Sequence, residues 1–207
     1  QVQPLMLWPQ NFRCTGCGNC CRDLRVAVTA LDVSRLAATT RESPSALVDW
    51  LAPEAVDMTG EPESFVEFGE GRRLMVLRHR DGACRLLGAD NLCRVYDARP
   101  RDCRAFPFDF NTPGSDPVGP RPQPRRLGLL PLSPLSREAP ASRCDYAIDG
   151  ANDEAALALE DQARWAELRD YQALVARWNR RAWHRRRLHR SPGDAAQFLA
   201  YCSEYSR

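Results

Sequence analysis

The sequence predicts an α+β fold: a small, irregular, cysteine-rich domain with short strands and several helices, plus a long C-terminal helix. Three observations lead to this prediction. Nine cysteines occur in 207 residues, mostly in loop-like segments. Short apolar runs at residues 26–28 and 64–77 have the composition of strands. Apolar residues between 165 and 182 recur every three or four positions, which is the spacing of one helical face.

The composition is that of a globular protein, with 43% hydrophobic and 27% charged residues and a net charge of +2. This balance predicts no nucleic-acid or membrane partner. No apolar run reaches the 18 or so residues of a membrane span, and no export signal is recognisable, so we expect a cytoplasmic protein. In a reducing compartment the cysteines are expected to bind metal, whereas secretion under a removed signal would favour disulfides.

The first predicted elements precede the cysteine-rich loops. Val26–Val28 is a strand candidate, and Thr29 with Asp32 forms a capping box that opens a helix to about Ala38, with Leu31 and Leu36 facing inward. Ser43-Pro44 predicts a second helix that runs to Trp50 or Leu51. A strand pair is predicted across the turn at Gly69–Gly71.

The later elements follow the loops. Pro100 is expected to open one helical turn that carries Cys103, and residues 111–140 to form a long loop with a strand at Leu127–Leu130. A helix is predicted from Asn152 to about Arg187, and a last one after Ser191-Pro192. The inward face of the long helix is predicted to hold Trp165, Leu168, Tyr171, Val175, Trp178 and Ala182. We expect residues 1–150 to form the cysteine-cluster domain and residues 151–207 a helical extension packed on it.

The strongest chemical signal is the run Cys14-Thr-Gly-Cys17-Gly-Asn-Cys20-Cys21. A C-x-x-C turn brings two thiols close enough to bind one metal ion, and Gly16 and Gly18 let the backbone curl around it. A further x-x-C gives three convergent thiolates, as at the start of a bacterial ferredoxin run. We expect Cys21 to point away from Cys20 and to serve a second site or bridge two metals.

Eight of the nine cysteines form two groups that are the predicted metal ligands: Cys14, Cys17, Cys20 and Cys21; and Cys84, Cys93, Cys103 and Cys144. Eight thiolates would complete two four-coordinate sites, or one [4Fe–4S] cluster plus one zinc. Cys202 lies on an amphipathic helix, where we expect a buried thiol that binds no metal.

The order of these motifs resembles the YkgJ-type CxxCxxCC cysteine-cluster family over roughly residues 12–150. The resemblance rests on the first run, on Cys93 followed by Val-Tyr, and on Arg99-Pro100-x-x-Cys103-Arg-x-Phe-Pro. Thr29-x-x-Asp32 and the position of Cys144 also fit, although Asp145 stands where many members have proline. The resemblance implies a zinc- or iron-chelating domain. A similar domain occurs in flagellin lysine methylases, but this sequence has no Gly-rich loop to hold a methyl donor.

Thiolate ligands suit both Zn²⁺ and a [4Fe–4S] cluster, so the sequence leaves the cofactor open. Either centre with four thiolates carries a charge of about −2, which neighbouring arginines would offset. The candidates are Arg22, Arg94, Arg101 and Arg104. The adjacent Cys20-Cys21 pair and the wide ligand spacing are awkward for a zinc knuckle and favour iron–sulfur.

Other candidate sites have simpler explanations. His79 lies five residues before Cys84, but a solvated hairpin histidine is the favoured interpretation. The block Arg180–Arg190 could bind RNA, an acidic partner or anionic lipid, yet a solvated basic helix end is favoured. Asp102 and Asp109 are expected to form structural hydrogen bonds. Apart from the metal site, no catalytic constellation is recognisable.

Three functional hypotheses follow. The first is an accessory or electron-transfer component of a larger complex, holding an iron–sulfur cluster, zinc or both. The second is a zinc-stabilised module that binds a partner protein through the tryptophan and arginine face of its C-terminal helix. The third is a subunit of a modification enzyme, such as a methyl transferase.

Replacing Cys17 or Cys20 with serine is expected to give insoluble or metal-free protein, because metal binding should contribute much of the folding free energy. Solubility and metal content per chain measure this. Soluble variants that keep their full metal content would contradict it.

Overall fold

The computed structural model describes residues 12–14, 17–56, 62–105, 129–131, 146–148 and 154–205. The helices in this part are α1 (Asn19–Asp23), α2 (Ala30–Thr40), α3 (Pro44–Leu47), α4 (Arg101–Ala105), α5 (Glu154–Arg187) and α6 (Ala195–Tyr205). The strands are β1 (Phe12–Cys14), β2 (Leu24–Val26), β3 (Val48–Leu51), β4 (Val66–Phe68), β5 (Gly71–Leu77), β6 (His79–Arg80), β7 (Ala83–Cys84), β8 (Leu129–Pro131) and β9 (Tyr146–Ile148).

The strands form small antiparallel sheets, which confirms the predicted α+β class. β3, β5 and β4 form a three-stranded sheet in that order, and three pairs, β1–β9, β2–β8 and β6–β7, accompany it. The predicted hairpin of β4 and β5 is confirmed, with Phe68 opposite Gly71. Its core-facing residues Val66, Phe68 and Met75 are almost fully buried. Among the described helices, none combines the length and apolarity that a membrane span requires.

Helix α2 begins at the predicted capping box. The Thr29 hydroxyl accepts a hydrogen bond from the Asp32 backbone N–H, and the Asp32 carboxylate accepts one from the Thr29 N–H. Leu36 is fully buried as expected. Leu31 is 45% exposed, so its inward orientation is wrong, and Val33 fills the core in its place.

The predicted helix from Ser43 to Trp50 ends after one turn. Chain 44–47 is helical, but Val48–Leu51 form strand β3, paired with β5 so that Trp50 lies opposite Met75. The β-branched Val48 and the indole of Trp50 fit a pleated surface, and pairing with the apolar strand β5 outweighs the local helix signal. The predicted strand at Val26–Val28 lies slightly earlier, at β2, and Ala27 adds a bridge to Val76.

The two predicted C-terminal helices are confirmed as α5 and α6, and they contact each other where Trp178 packs against Phe198 and Tyr201. On α5, Trp165, Tyr171, Val175, Trp178 and Ala182 are buried, and Leu168 is half-buried. On α6, Phe198, Leu199 and Cys202 are buried. The turn between the helices needs Gly193, which has a φ of +113°, and a Cβ there would lie 2.7 Å from the Trp178 ring.

Helix α5 contacts α2, α4 and β4. Of the predicted 111–140 loop, the structure describes Leu129–Pro131, which pair with β2 close to the predicted strand at Leu127–Leu130. Cys144 and Asp109 lie outside the described residues, as do the segments around residue 150. The division into residues 1–150 and 151–207 therefore stays a prediction.

Replacing Phe198 with alanine is expected to lower the free energy of unfolding by about 3–5 kcal/mol, because it leaves a cavity in the core. The Phe198 ring is fully buried and lies edge-on to Trp50, Phe68 and Trp178, with centroid distances of 5.3 to 6.2 Å. Denaturant unfolding measures the change. Leu188→Ala is the control, because Leu188 is 65% exposed and should change stability by less than about 0.5 kcal/mol.

Candidate metal centre

Helix α1 carries two of the predicted ligands, Cys20 and Cys21, and its start depends on glycine. Gly18 precedes the helix with a left-handed φ of +74°, and its carbonyl accepts a hydrogen bond from the Cys21 N–H at 3.1 Å. A Cβ at position 18 would lie 2.6 Å from Nη1 of Arg22. The predicted need for glycine here is confirmed by the left-handed φ, in which a residue with a Cβ would be strained, whereas the Arg22 side chain could move aside.

The sulfurs of Cys20 and Cys21 lie 4.0 Å apart. The expectation that Cys21 points away from Cys20 is therefore wrong. It assumed the divergence of adjacent side chains in a regular backbone, whereas neighbours on a helix are only about 100° apart and their rotamers can bring the sulfurs together. Two thiolates on one tetrahedral zinc, each about 2.3 Å from the ion, are separated by about 3.8 Å. The observed distance is close to that value.

Cys84 and Cys93 flank a compact loop that follows the β6–β7 hairpin. The Leu87 N–H donates to the Cys84 carbonyl and the Arg94 N–H to the Leu86 carbonyl, both at 2.9 Å. Leu87 and Cys93 also form an isolated antiparallel bridge. Because Leu86 is 2% exposed, it anchors this loop in the core. The loop thus holds both thiols on the same side as α1, which contacts β7.

Cys103 lies in the middle of the short helix α4. The turn after Pro100 is confirmed, since Arg101–Ala105 are helical and the Arg104 N–H donates to the Pro100 carbonyl at 3.1 Å. At the start of α4, the Arg101 N–H donates to Oδ1 of Asp32 at 3.2 Å. The capping residue of α2 therefore also binds the first turn of the helix that carries Cys103.

Three of the thiols, on Cys20, Cys84 and Cys103, interact electrostatically with one another. Burial, and then the nearby thiols of Cys84 and Cys20, raise the pKa of Cys103 well above its usual value. Burial, and then Cys93 and Cys20, raise the pKa of Cys84. The hydrogen bond with the Cys20 sulfur raises the pKa of Cys21, and the same contact lowers that of Cys20 to about 7. The thiols in this set belong to four separate segments of the chain, and there are five of them: Cys20, Cys21, Cys84, Cys93 and Cys103.

Fewer contacts are described for the remaining three predicted ligands. Cys17 is half-buried just before α1, and Cys14 ends β1, where it pairs with Tyr146 in register. Cys144 lies outside the described residues. Within the described part of the chain, no three Cys, His, Asp or Glu side chains form a group that could hold a metal ion. The five thiols match the soft donor set that zinc and iron–sulfur centres prefer, but completing a site requires side-chain movement or ligands beyond the described set.

The arginines near the thiols differ from those predicted. Arg94 does lower the pKa of Cys84, but Arg99, which was not singled out, lowers that of Cys20. Arg22 instead donates to the Asn91 side chain and to the Cys17 carbonyl, the latter at 3.5 Å. Arg101 pairs with a carboxylate, since its Nε donates to Oε2 of Glu167 at 2.6 Å.

His79 lies in the predicted hairpin, with Cys84 opposite it in register. The expectation that it is solvated is wrong. Both ring nitrogens are buried. Burial, and then the charge of Arg25, lower the pKa of His79 to about 4. The ring packs towards β2, which is where Leu24 and Arg25 lie.

A network of charged side chains connects α2 and α5 to α4, the helix that carries Cys103. The carboxylate of Glu167 on α5 accepts hydrogen bonds from the Thr29 hydroxyl at 2.5 Å, from Arg35 at 3.0 Å and from Arg101 at 2.6 Å. Arg35 also pairs with Asp32. Asp32 and Glu167 are 3% and 7% exposed, so the two carboxylates are buried, whereas the side chains of Arg35 and Arg101 are partly exposed.

A second ion pair joins α5 to α4 beside this network. The Arg164 Nε donates to Oδ1 of Asp102 at 2.6 Å, which confirms that Asp102 is a structural hydrogen-bonding residue. Sequence reasoning missed Arg164 and Glu167. The sequence does contain a signal for them: the two charged residues are three positions apart and lie on the same helical stripe as Tyr171, which predicts that they are buried with it. A cavity of about 30 Å³, lined by both residues and by Asp32 and Arg101, is large enough for water molecules.

The two carboxylates of the network titrate in opposite directions. Burial, and then the charge of Glu167, raise the pKa of Asp32 to about 6. Burial alone would raise the pKa of Glu167, but hydrogen bonds from Arg35, Thr29 and Arg101 lower it. Asp32 therefore holds a proton more tightly in the folded than in the unfolded chain, and Glu167 holds one less tightly.

Comparison with known proteins gives one match. Residues 13–118 match a family model named CxxCxxCC and described as "Putative zinc- or iron-chelating domain". This span covers about half of the chain and includes seven of the eight predicted ligands, all except Cys144. Neither the curated proteins nor the solved structures contain a significant match.

The variant Asp32→Asn is expected to gain stability relative to the wild type as the pH rises. The proton on Asp32 stabilises the fold below about pH 4, and this contribution is lost as the pH rises through the folded-state pKa of about 6. Denaturant unfolding from about pH 4 to about pH 7 should show the difference between the two proteins shift by up to about 3 kcal/mol. A difference that does not change with pH would contradict this.

Proposed function

Since the chain belongs to the CxxCxxCC family of zinc- or iron-chelating domains, we propose that it is a metal-binding protein that serves as an accessory component of a larger complex. The ligands in this proposal are Cys20, Cys21, Cys84, Cys93 and Cys103, joined by Cys14, Cys17 and Cys144. When bound, the metal would cross-link segments that are far apart in the sequence.

One observation carries the proposal: thiols from α1, β7, the following loop and α4 interact electrostatically in one region. A single buried cysteine behaves as a small hydrophobic residue and needs no further explanation. Buried neighbouring thiols that raise the pKa of Cys84 and Cys103 are different, because these two residues must release their protons before they can bind a cation as thiolates. A soft divalent ion or an iron–sulfur cluster would use all of these sulfurs at once.

The separation of 4.0 Å between the Cys20 and Cys21 sulfurs supports a single ion held by both residues. In a [4Fe–4S] cluster each thiolate binds its own iron, so its ligands lie further apart than two sulfurs on one tetrahedral ion. This geometry favours zinc, or one iron, at this end of the centre. The ligand spacing in the sequence favours iron–sulfur instead, so the two cofactors remain competing proposals.

An iron–sulfur cluster with a role in electron transfer is the second candidate. The spacing Cys14-x-x-Cys17-x-x-Cys20, with further cysteines at a distance, is that of a ferredoxin-like run and supports it. The charge of Arg99, which acts on Cys20, and that of Arg94, which acts on Cys84, would stabilise an anionic centre of either kind.

The C-terminal end of α5 supports a role in binding a partner protein. Trp183 and Leu188 are 52% and 65% exposed, and Arg187 lies over the Trp183 ring at 4.4 Å. No acidic residue occurs between positions 171 and 193. Arginine and tryptophan are enriched at protein interfaces, so a zinc-stabilised module that presents this surface is the natural alternative to electron transfer.

Protein purified without oxygen is expected to contain bound metal, as measured by elemental analysis and visible absorption. Colourless protein with zinc would support a structural centre and the partner-binding role. Iron with acid-labile sulfide and a broad band near roughly 400 nm would support electron transfer. Protein without metal, both as purified and after incubation with Zn²⁺ or with iron and sulfide, would overturn the proposal.

Cysteine variants localise the centre. Cys84→Ser and Cys103→Ser are expected to lose most of the bound metal, because each removes a thiol that interacts with Cys20. Cys202→Ser is the matched control: Cys202 is buried on α6, on a different element from the proposed ligands. Equal metal content in all three variants would mean that the assigned thiols are not the ligands.

A further inference from the structure

We propose that Glu167 and Arg164 of helix α5 are positioning residues for the metal ligand Cys103. The inference rests on the proposed metal-binding function. Both residues lie beyond the span of the family match, which ends at residue 118. The C-terminal helix would therefore help to build a centre whose ligands all lie elsewhere in the chain.

Two crossed ion pairs connect α5 to α4. Glu167 accepts a hydrogen bond from Nε of Arg101, and Arg164 donates from its Nε to Asp102, each at 2.6 Å. On α5 the two residues are three positions apart and share one face, whereas on α4 their partners are adjacent. These partners are the two residues immediately before Cys103. A shift or rotation of α4 relative to α5 would break both pairs together.

Burial makes these contacts specific. Glu167 and Arg164 are 7% and 6% exposed, so neither group can exchange its partner for bulk water. Removing one member of a buried pair leaves an uncompensated charge, which costs far more than the loss of a surface ion pair. Glu167 is further fixed by Thr29 and Arg35. The carboxylate is therefore a rigid point to which α4 is attached.

Helix α4 needs this attachment because it is too short to define its own position. It has five residues, well below the length at which an isolated helix is stable in water. At its first residue, the Arg101 backbone N–H donates to Asp32, and the Arg101 side chain donates to Glu167. With Asp102 also held, the backbone position of Cys103, and with it the region that its sulfur can reach, follows from contacts made by the two preceding residues.

The contacts that dock the rest of α5 are separate from this arrangement. Asn179 accepts a hydrogen bond from the Glu67 N–H and donates one to the Phe65 carbonyl, both at 2.8 Å. Trp178 donates to the Glu67 carbonyl at 2.8 Å. These bonds reach strand β4, which carries no proposed ligand. Docking of the helix and positioning of Cys103 can therefore be perturbed independently.

Because positioning and metal binding are linked, each must favour the other by the same free energy. If the crossed ion pairs hold Cys103 ready for the metal, losing them weakens metal binding. Outer-shell groups that orient metal ligands commonly change metal affinity by 10- to 100-fold. We expect an effect of that order for Glu167.

The experiment compares Glu167→Gln with Asn179→Ala in the full-length chain. Zn²⁺ affinity is measured against a competing chelator, and the Co²⁺-substituted proteins are compared by absorption spectroscopy. Glu167→Gln is expected to bind Zn²⁺ about 10-fold or more weakly and to change the thiolate-to-cobalt band. Asn179→Ala is expected to lower the melting temperature while keeping the wild-type affinity and spectrum. That pattern separates positioning from general destabilisation.

Arg101→Gln breaks the same ion pair by removing its other, less buried member. This variant replaces Glu167→Gln in the comparison if Glu167→Gln does not fold. It should weaken Zn²⁺ binding in the same way. In a double-mutant cycle, the two substitutions together should cost less affinity than the sum of the single effects, because both break one contact.

The outcomes distinguish the two proposals. If the wild type takes up neither Zn²⁺ nor Co²⁺ and also assembles no cluster from iron and sulfide, metal binding fails and the positioning role fails with it. If the wild type binds these ions and both Glu167→Gln and Arg101→Gln bind them with unchanged affinity and spectrum, only the positioning role is overturned. Equal weakening by Asn179→Ala would also overturn it, since the effect would then come from general loss of α5 docking.

Discussion

The packing of helix α5 against the edge of the three-stranded sheet is the constraint on which the rest of the structure depends. β4 is an edge strand, and an unpaired strand edge leaves backbone groups that need partners. Side chains of α5 supply them: Asn179 and Trp178 bind the backbone of Phe65 and Glu67, and Arg186 donates to the Phe68 carbonyl at 2.5 Å. The same helix then extends to α2 and α4, so one element sets the relative positions of the sheet and of the Cys103 segment.

The thiol region depends on a different kind of stabilisation. Its segments are short: α1 and α4 have five residues each and β7 has two. Such elements bury little apolar surface and have few backbone hydrogen bonds of their own. A metal bound by thiolates would link them directly, and its binding free energy would then be part of the folding free energy. The ion pairs around Glu167 also hold α4 in position, and they do so without a metal.

Much of the architecture could be predicted because local signals and tertiary packing agree there. The Thr29–Asp32 capping box, the β4–β5 hairpin, the turn after Pro100 and the apolar stripe of α5 are all present. Prediction failed where a distant partner decided the structure. Val48–Leu51 followed a helix-start signal but became a strand because β5 lies beside it. Leu31 fitted a helical face but lies on the exposed side of α2.

The same distinction applies to the candidate site. Residue type and spacing were enough to single out Cys20, Cys84 and Cys103, which the structure brings together. Spacing could not give the orientation of Cys21, which depends on rotamers, or the role of Glu167, which lies 64 positions from Cys103 in the sequence. A buried acid on an apolar stripe is visible in a sequence, but its partners are known only once the elements are packed.

The crossed ion pairs have a consequence for how the protein can be divided. A fragment limited to residues 13–118 would retain Arg101, Asp102 and Asp32 but lose both charges that α5 provides for them. It would also uncover the apolar face of Val66 and Phe68, which is almost fully buried in the intact chain. Such a fragment would combine uncompensated charge with exposed hydrophobic surface, and both favour aggregation. We therefore expect the segment that carries the recognisable motif to need helix α5 in order to fold stably.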